Sequence, residues 1–277
     1  MDIKHLSQNL MSFKGEDLPS NILDELSELK IIAVSNGNQQ ESKEIWCYEQ
    51  IYKVINHYVT AFKKIKNKEY FEAWNDLDRA DIELSFLRNH FDYTGNKCNL
   101  EFIERMIYQL QKLFPYQYFM SRESIVKTWS CSICNQVITL RKSCKHKVGE
   151  IYNGELCLRV AGDIKFLGMA LVTNPFDKYT VLFPDGKEYN YELLENLMKN
   201  WENPYENWKL EILQSLSEEY KGLERNQLCI CNSGKKYKKC CQKTGKNHHE
   251  HYKLTFLEKD PTKFTPMDVK TIHSWKN

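Results

Sequence analysis

Two cysteine-rich segments contain the side chains of this sequence that are best suited to metal chemistry. In the C-terminal segment, Cys229 and Cys231 form one close pair and Cys240 and Cys241 form another, with eight residues between the pairs. Zinc in a structural site prefers four thiolate or imidazole ligands in a tetrahedron. The spacing therefore predicts one zinc site, with two disulfides or four free thiols as the alternatives. Because the surrounding residues are polar, the bound ion would replace a hydrophobic core.

The central segment contains a second set of zinc-type ligands. Cys131 and Cys134 form a Cys-x-x-Cys, and after nine residues Cys144 and His146 form a Cys-x-His. This spacing predicts a zinc-ribbon-like site with three thiolates and one imidazole. We expect a short strand over 136–140, between the two pairs. The sequence thus predicts two bound zinc ions in total.

A catalytic or redox role for the central cysteines is the competing interpretation. Catalytic zinc keeps one position open for water, whereas four good ligands favour a closed structural site. Glu150 and Glu155 lie nearby in the sequence, but we expect both to be surface carboxylates. A redox Cys-x-x-Cys would precede a helix in a βαβ setting, and no helix is predicted after Cys134. No catalytic residue is therefore assigned.

Four lysines lie between the two C-terminal cysteine pairs. Four thiolates on one Zn²⁺ leave a net charge of about −2, which these side chains would offset. One interpretation is a solvated surface, and the other is a basic surface that binds an acidic partner. The predicted partner-binding residues are Lys235, Lys236, Lys238 and Lys239.

The segment 225–242 resembles the SEC-C motif, the small zinc knuckle at the C-terminus of the SecA preprotein translocase motor. Arg225-Asn226 is followed by Cys-x-Cys-x-Ser-Gly-Lys-Lys-Tyr-Lys-Lys-Cys-Cys. Ile230 and Asn232 replace a Pro and a Gly of the motif, and Cys241 takes a position where the motif has His or Cys. The resemblance implies a bacterial protein whose knuckle is an adaptor surface for a SecB-like chaperone or for ribosomes.

The resemblance to SecA ends at the knuckle, since the sequence contains no Gly-x-x-x-x-Gly-Lys-Ser/Thr loop for phosphates. The segment from Gly149 to Glu155 resembles bacterial SEC-C proteins that also contain a central ribbon. Among the isolated cysteines, Cys47 and Cys157 have apolar neighbours and are interpreted as small buried hydrophobes. Cys98 adjoins a turn, so we expect it to be exposed.

Hydrophobic spacing predicts the elements that must position these sites. Apolar residues recur at three- and four-residue steps, which predicts helices over 41–66, 70–87 and 99–113. Branched and aromatic runs predict strands over 156–160, 166–173 and 179–183. Two further helices are predicted over 191–201 and 205–221. The N-terminal helices are expected to form an antiparallel bundle.

These elements predict an α+β protein with five regions. They are a helical region over 1–125, a zinc-ribbon-like β region over 126–190, a helical segment over 191–222, a SEC-C zinc knuckle over 223–250 and a C-terminal tail over 251–277. The knuckle is expected to fold independently, so that deletion of residues 223–277 would leave the rest of the protein nearly unaffected.

Composition limits the function classes further. The 39 basic and 37 acidic side chains leave a formal net charge of +2, so no field over the whole chain favours nucleic acid. No run of about 18 apolar residues is present, and the first residues lack the apolar centre of a secretion signal. We therefore expect no membrane span and a cytoplasmic, reducing location, where cysteines more often bind metal than form disulfides.

Three functions remain from the sequence. The first is a non-enzymatic zinc-binding adaptor that uses its knuckle to bind a protein partner. The second is a nucleic-acid-binding zinc-ribbon protein, which the near-neutral charge disfavours. The third is an enzyme with a pocket between the helices and the ribbon, for which no motif is found.

Overall fold

The structure is a computed structural model that describes residues 3–259, 267–270 and 274–276. It is an α+β protein, as the sequence predicts. The chain divides into two compact units. The first contains Met1–Lys187 and Asn203–Tyr205, and the second contains Glu188–Glu202 and Glu206–Asn277.

The first unit begins with a helical bundle. Its helices are α1 (Ile3–Ser12), α2 (Asn21–Ser35), α3 (Gln39–Lys66), α4 (Tyr70–Leu87) and α5 (Leu100–Gln111). The predictions for 41–66, 70–87 and 99–113 are therefore confirmed to within two residues at each end. None of the helices in the described residues has the length and apolar character that crossing a bilayer requires.

Burial of one stripe on each helix explains this bundle. Asn38 caps the N-terminus of helix α3. Its side-chain oxygen accepts a hydrogen bond from the Glu41 N–H (3.2 Å), and this bond satisfies one of the free N–H donors of the first turn. The apolar stripe of α3 is completely buried, with Tyr58 and Phe62 at 0% exposure. On the polar side of this helix, the His57 Nδ1 lies 2.9 Å from the buried Asp76 carboxylate.

A long two-stranded ribbon follows the bundle. Strand β1 (Phe119–Cys131) pairs antiparallel with β5 (Arg159–Val172), and β2 (Val137–Ile138) adds a short third strand at one end. The helical region is thus shorter than the predicted 1–125, because β1 begins at Phe119. Large apolar side chains of β5 are exposed, among them Ile164, Phe166, Met169 and Leu171.

The predicted strands of this region are only partly correct. Strand β5 contains the run 166–172 but begins seven residues before the predicted 166–173, and the predicted 156–160 is interrupted between β4 (Glu155–Leu156) and β5. Strand β4 instead pairs with β3 (Ile151–Tyr152) in a tight hairpin. The run 179–183 is not a strand, since only Val181 forms an isolated bridge, to Phe119.

The second unit contains a three-stranded antiparallel sheet in the order β6-β7-β8. Its elements are α6 (Glu192–Met198), β6 (Trp208–Leu216), α7 (Cys241–Thr244), β7 (His248–Phe256) and β8 (Met267–Lys270). The helix predicted over 191–201 is present as α6. The helix predicted over 205–221 is wrong, because this segment forms β6, which pairs with β7 over its whole length.

The cysteine knuckle connects β6 to β7, and this changes its relation to the rest of the chain. Leu216 pairs with His248, and the Ser217 N–H donates to the Asn247 carbonyl (2.9 Å) at the base of the knuckle. The predicted tail over 251–277 is therefore not an appendage, since β7 includes residues up to Phe256. Of that predicted tail, residues 260–266, 271–273 and 277 lie outside the described residues.

Deletion of residues 223–277 should unfold the second unit rather than leave it unaffected. The deletion removes β7, so β6 loses its backbone partners and the Trp208 side chain, 1% exposed, loses its cover. We expect a red-shifted tryptophan emission and increased binding of an apolar dye. The matched control replaces residues 218–246 by an Asn-Gly turn between the hydrogen-bonded Ser217 and Asn247, which preserves the β6–β7 hairpin. Equal emission spectra for the deletion and the control would contradict this role of β7.

Candidate metal centres

The C-terminal knuckle is a tight turn followed by a short helix. The Cys229 N–H donates to the Lys235 carbonyl (2.8 Å), which folds residues 229–235 back on themselves. Asn232 and Gly234 turn the chain with φ of 59° and 69°, a region that glycine and asparagine tolerate best. Cys240 immediately precedes α7 and Cys241 begins it, which places this pair opposite the turn that contains Cys229 and Cys231.

The four sulfur atoms of the knuckle converge. The Sγ atoms of Cys229, Cys231, Cys240 and Cys241 all lie within 4.8 Å of one another. The Cys231 and Cys240 sulfur atoms are 3.4 Å apart, and the Cys240 and Cys241 sulfur atoms are 4.0 Å apart. Zinc–sulfur bonds of about 2.3 Å give tetrahedral edges of about 3.8 Å, whereas a disulfide needs about 2.05 Å. The cluster therefore matches a four-thiolate metal site and not two disulfides.

Hydrogen bonds prepare this cluster for a cation. The Ser233 hydroxyl lies 3.0 Å from the Cys240 sulfur. Hydrogen bonds from the side chains of Ser233, Cys229 and Cys240 lower the pKa of the Cys231 thiol to about 6. A thiolate is the form that binds metal, so a lowered pKa of the Cys231 thiol favours the binding form.

A small aromatic core supports the knuckle. The rings of Tyr220 and Tyr237 stack with centroids 5.6 Å apart, and Cys229 and Cys241 are buried beside them. The buried Asn247 amide donates to the Tyr237 hydroxyl (2.7 Å). Sequence reasoning missed Tyr220 and Asn247, because both lie outside the cysteine spacing and only the fold brings them to the site.

The central site begins at the end of the ribbon. The Cys131 N–H donates to the Gln136 carbonyl (3.0 Å), which closes a turn between β1 and β2. Burial alone would raise the pKa of the Cys131 thiol. Hydrogen bonds from the backbone N–H groups of Cys134 and Ile133 outweigh this effect and lower the pKa to about 6.

The structure brings the four predicted ligands of the central site together. The ligand atoms of Cys131, Cys134, Cys144 and His146 lie within 4.8 Å of one another. The Cys131 Sγ and the His146 Nδ1 are 3.7 Å apart. No helix follows Cys134 in the described residues up to 191, as predicted, which disfavours a thioredoxin-like redox role.

The segment after His146 packs against the helical bundle of the same unit. The His90 ring lies 2.8 Å from the Gly149 carbonyl, and the Gln39 side chain bonds the Ile151 carbonyl and the Asn153 N–H. The Lys30 ammonium pairs with Glu155 (3.0 Å) and with the buried Glu49 (2.7 Å). Glu155 is thus a salt-bridge partner.

The isolated cysteines differ from expectation at two positions. Cys98 is buried at 1% exposure and not exposed, because the turn that contains it packs beneath α1 and α5. Cys47 is buried as expected. Cys157 is also buried, but its Sγ lies 3.8 Å from that of Cys131, at the edge of the central site. A lone cysteine 11 residues after His146 gave no spacing signal.

Comparison with known proteins agrees with the resemblance at the knuckle. The family model of the SEC-C motif matches residues 225–243. No curated protein and no solved structure matches the chain. The chain therefore carries a SEC-C zinc-binding motif, and it contains two Cys/His clusters with the geometry of metal sites.

Metal analysis tests the two sites separately. We expect two zinc ions per chain, because each cluster offers four converging donors. Replacing Cys131 and Cys134 together by Ser leaves too few donors at the central site and should reduce the content to one ion, as should Cys229→Ser at the knuckle, and the combination of all three changes should leave none. Elemental analysis of protein purified without a metal-affinity tag measures this content. If the unmodified chain binds only one ion, one of the two sites does not bind zinc. That site is the one whose serine variant leaves the zinc content unchanged.

Glycine at position 154 is required for contact between the central site and the helices. A Cβ there would lie 2.7 Å from the Lys30 side chain and 3.4 Å from the Ser42 carbonyl, at a φ of +70°. Gly154→Ala should lower the free energy of unfolding by roughly 1–2 kcal/mol from backbone strain, and further through the clash. Gly186→Ala is the control, since Gly186 has a φ of +68° but nothing within 4 Å. Equal losses in chemical denaturation would show that the clash is unimportant.

Proposed function

We propose that this protein is a non-enzymatic zinc-binding adaptor that binds an acidic protein surface through its SEC-C knuckle. The observation that carries the proposal is the set of lysines on the knuckle. Lys235, Lys236 and Lys239 are exposed and Lys238 is half-buried. Within the described residues, none of the four forms an ion pair.

Unpaired lysines on a rigid turn are suited to recognition. Many other surface lysines of this chain pair with a carboxylate, as Lys221 does with Glu218. The knuckle lysines extend from the 13-residue segment that begins at Cys229 and ends at Cys241, which the metal would hold in one shape. Fixed charges lose less side-chain and loop entropy on binding than charges on a mobile tail.

The metal sites support a structural role. Four protein donors fill a zinc tetrahedron and leave no position for a substrate or a reactive water. The partners to test first are a SecB-like chaperone and the ribosome, which the SEC-C resemblance suggests. The proposed location is the cytoplasm, where thiols remain reduced and available to zinc.

Charge reversal on the knuckle tests the proposal. Changing Lys235, Lys236, Lys238 and Lys239 to Glu should weaken partner binding on the order of 100-fold at low salt, mainly through slower association. Zinc content and thermal stability should remain those of the unmodified chain, because the lysines are not ligands. Binding is measured by surface plasmon resonance against SecB, ribosomes and a duplex nucleic acid over a salt series.

The matched control reverses four exposed lysines outside the knuckle. These are Lys14, Lys97, Lys112 and Lys187. The control has the same net charge as the knuckle variant, so it should bind the partner with nearly unchanged affinity. Equal weakening by both variants would mean that net charge, and not the knuckle, determines binding. Binding to the nucleic acid alone would replace the adaptor role with the nucleic-acid role.

A further inference from the structure

A fifth candidate donor lies beside the four-ligand cluster of the central site. Besides its four-atom cluster, the Cys157 Sγ lies 3.8 Å from the Cys131 Sγ, and both side chains are 1% exposed. This separation equals the edge of about 3.8 Å between two sulfur ligands of one tetrahedral zinc ion. Cys157 thus stands at ligand distance from Cys131, which is itself a member of the cluster.

The backbone, and not a chance rotamer, places Cys157 there. Its N–H donates to the Glu150 carbonyl, and its carbonyl accepts from the Gly149 N–H, both at 2.8 Å. On the other side, the Leu158 N–H donates to the Ser132 hydroxyl, and the Ser132 N–H donates to the Leu158 carbonyl. Cys157 is therefore held between the turn that contains Cys131 and the segment that contacts the helices.

His146 is the one imidazole among the four ligands of the central cluster, and it lies on the same loop as Cys144. Its side chain is half-buried on a loop, and its ring contacts the edge of Tyr152 with centroids 4.6 Å apart. Zinc in a structural site accepts four ligands, so His146 and Cys157 cannot both complete the set with the other three cysteines.

We propose that Cys157 is an exchangeable fifth donor of the central zinc site. While His146 is bound, Cys157 remains a thiol and its S–H donates a hydrogen bond to the Cys131 sulfur. When His146 leaves the ion, Cys157 releases its proton to solvent and its thiolate takes the fourth position. The exchange replaces a neutral imidazole with a thiolate, so the net charge of the site changes from about −1 to about −2.

Two exposed lysines flank His146 and reduce the cost of that added charge. Lys145 and Lys147 adjoin it in sequence, and neither forms an ion pair within the described part of the chain. The inference rests on the proposal that the central site binds zinc, but it does not depend on the adaptor role of the knuckle.

Substitution of the two competing donors, singly and together, tests the exchange. His146→Ala and Cys157→Ala should each keep two zinc ions per chain, with affinities within about tenfold of the unmodified chain, because the other donor fills the fourth position. The double variant should lose the central ion and keep one. The control combines His146→Ala with Cys47→Ala, which removes an equally buried cysteine away from the site and should keep two ions.

Cobalt spectroscopy of the full chain identifies the ligand directly. In the Co²⁺-loaded His146→Ala chain, sulfur-to-metal charge-transfer absorption should rise above that of the unmodified chain, because a fourth thiolate enters. The proposal is overturned if His146→Ala alone holds one ion, if the double variant holds two, or if the charge-transfer absorption does not rise. A single ion in the unmodified chain would overturn both this inference and the central site, while leaving the knuckle proposal intact.

Discussion

The convergence of four sulfur atoms in a polar segment is the constraint on which the second unit depends. Four thiolates within 4.8 Å repel one another unless a cation lies between them. The core beneath them is two buried tyrosines with the partly buried Leu216 and Leu223 packed against them, which is too small to enforce that proximity alone. A bound ion supplies the attraction. Folding of the knuckle, deprotonation of its cysteines and metal binding are therefore coupled.

The central site uses the same chemistry to join segments that are farther apart. Cys131 ends β1, Cys144 and His146 lie on a loop, and Cys157 precedes β5. A metal ion bound there would fix the open end of the ribbon to the segment that Lys30 contacts through Glu155. A two-stranded ribbon is only marginally stable by itself in water, so fixing one of its ends would stabilise it.

Local signals in the sequence account for what could be predicted. The helices of the bundle carry a continuous apolar stripe, and both metal clusters lie within short stretches of chain, so spacing alone identified them. The segment of strand β6 mixes two periods. Trp208, Leu210 and Ile212 alternate as in a strand, whereas Leu213 and Leu216 follow at helical spacing, which favours the incorrect helix prediction. Its partner β7 follows 31 residues later, and no local pattern shows that pairing.

Other features could not be read from the sequence, because they depend on contacts between distant segments. Both faces of β5 are largely exposed, so its burial does not alternate and its full length has no pattern. The ligand-distance position of Cys157 results from its own backbone hydrogen bond to Glu150 and from the pairing of the adjacent Leu158 with Ser132. Similarly, the salt bridge from Lys30 to Glu155 spans 125 positions.

The position of the knuckle between two paired strands also affects how the sheet folds. Pairing Leu216 with His248 requires the chain to close a loop of 31 residues, at an entropic cost that grows with the logarithm of loop length. A knuckle already closed by metal removes the stretch between Cys229 and Cys241 from that loop. The free-energy cost of closing the loop falls by only about 0.4 kcal/mol. This reduction applies before any contact between the strands forms. Metal capture thus lowers the effective contact order of the sheet and favours a sequence of events in which the knuckle folds first.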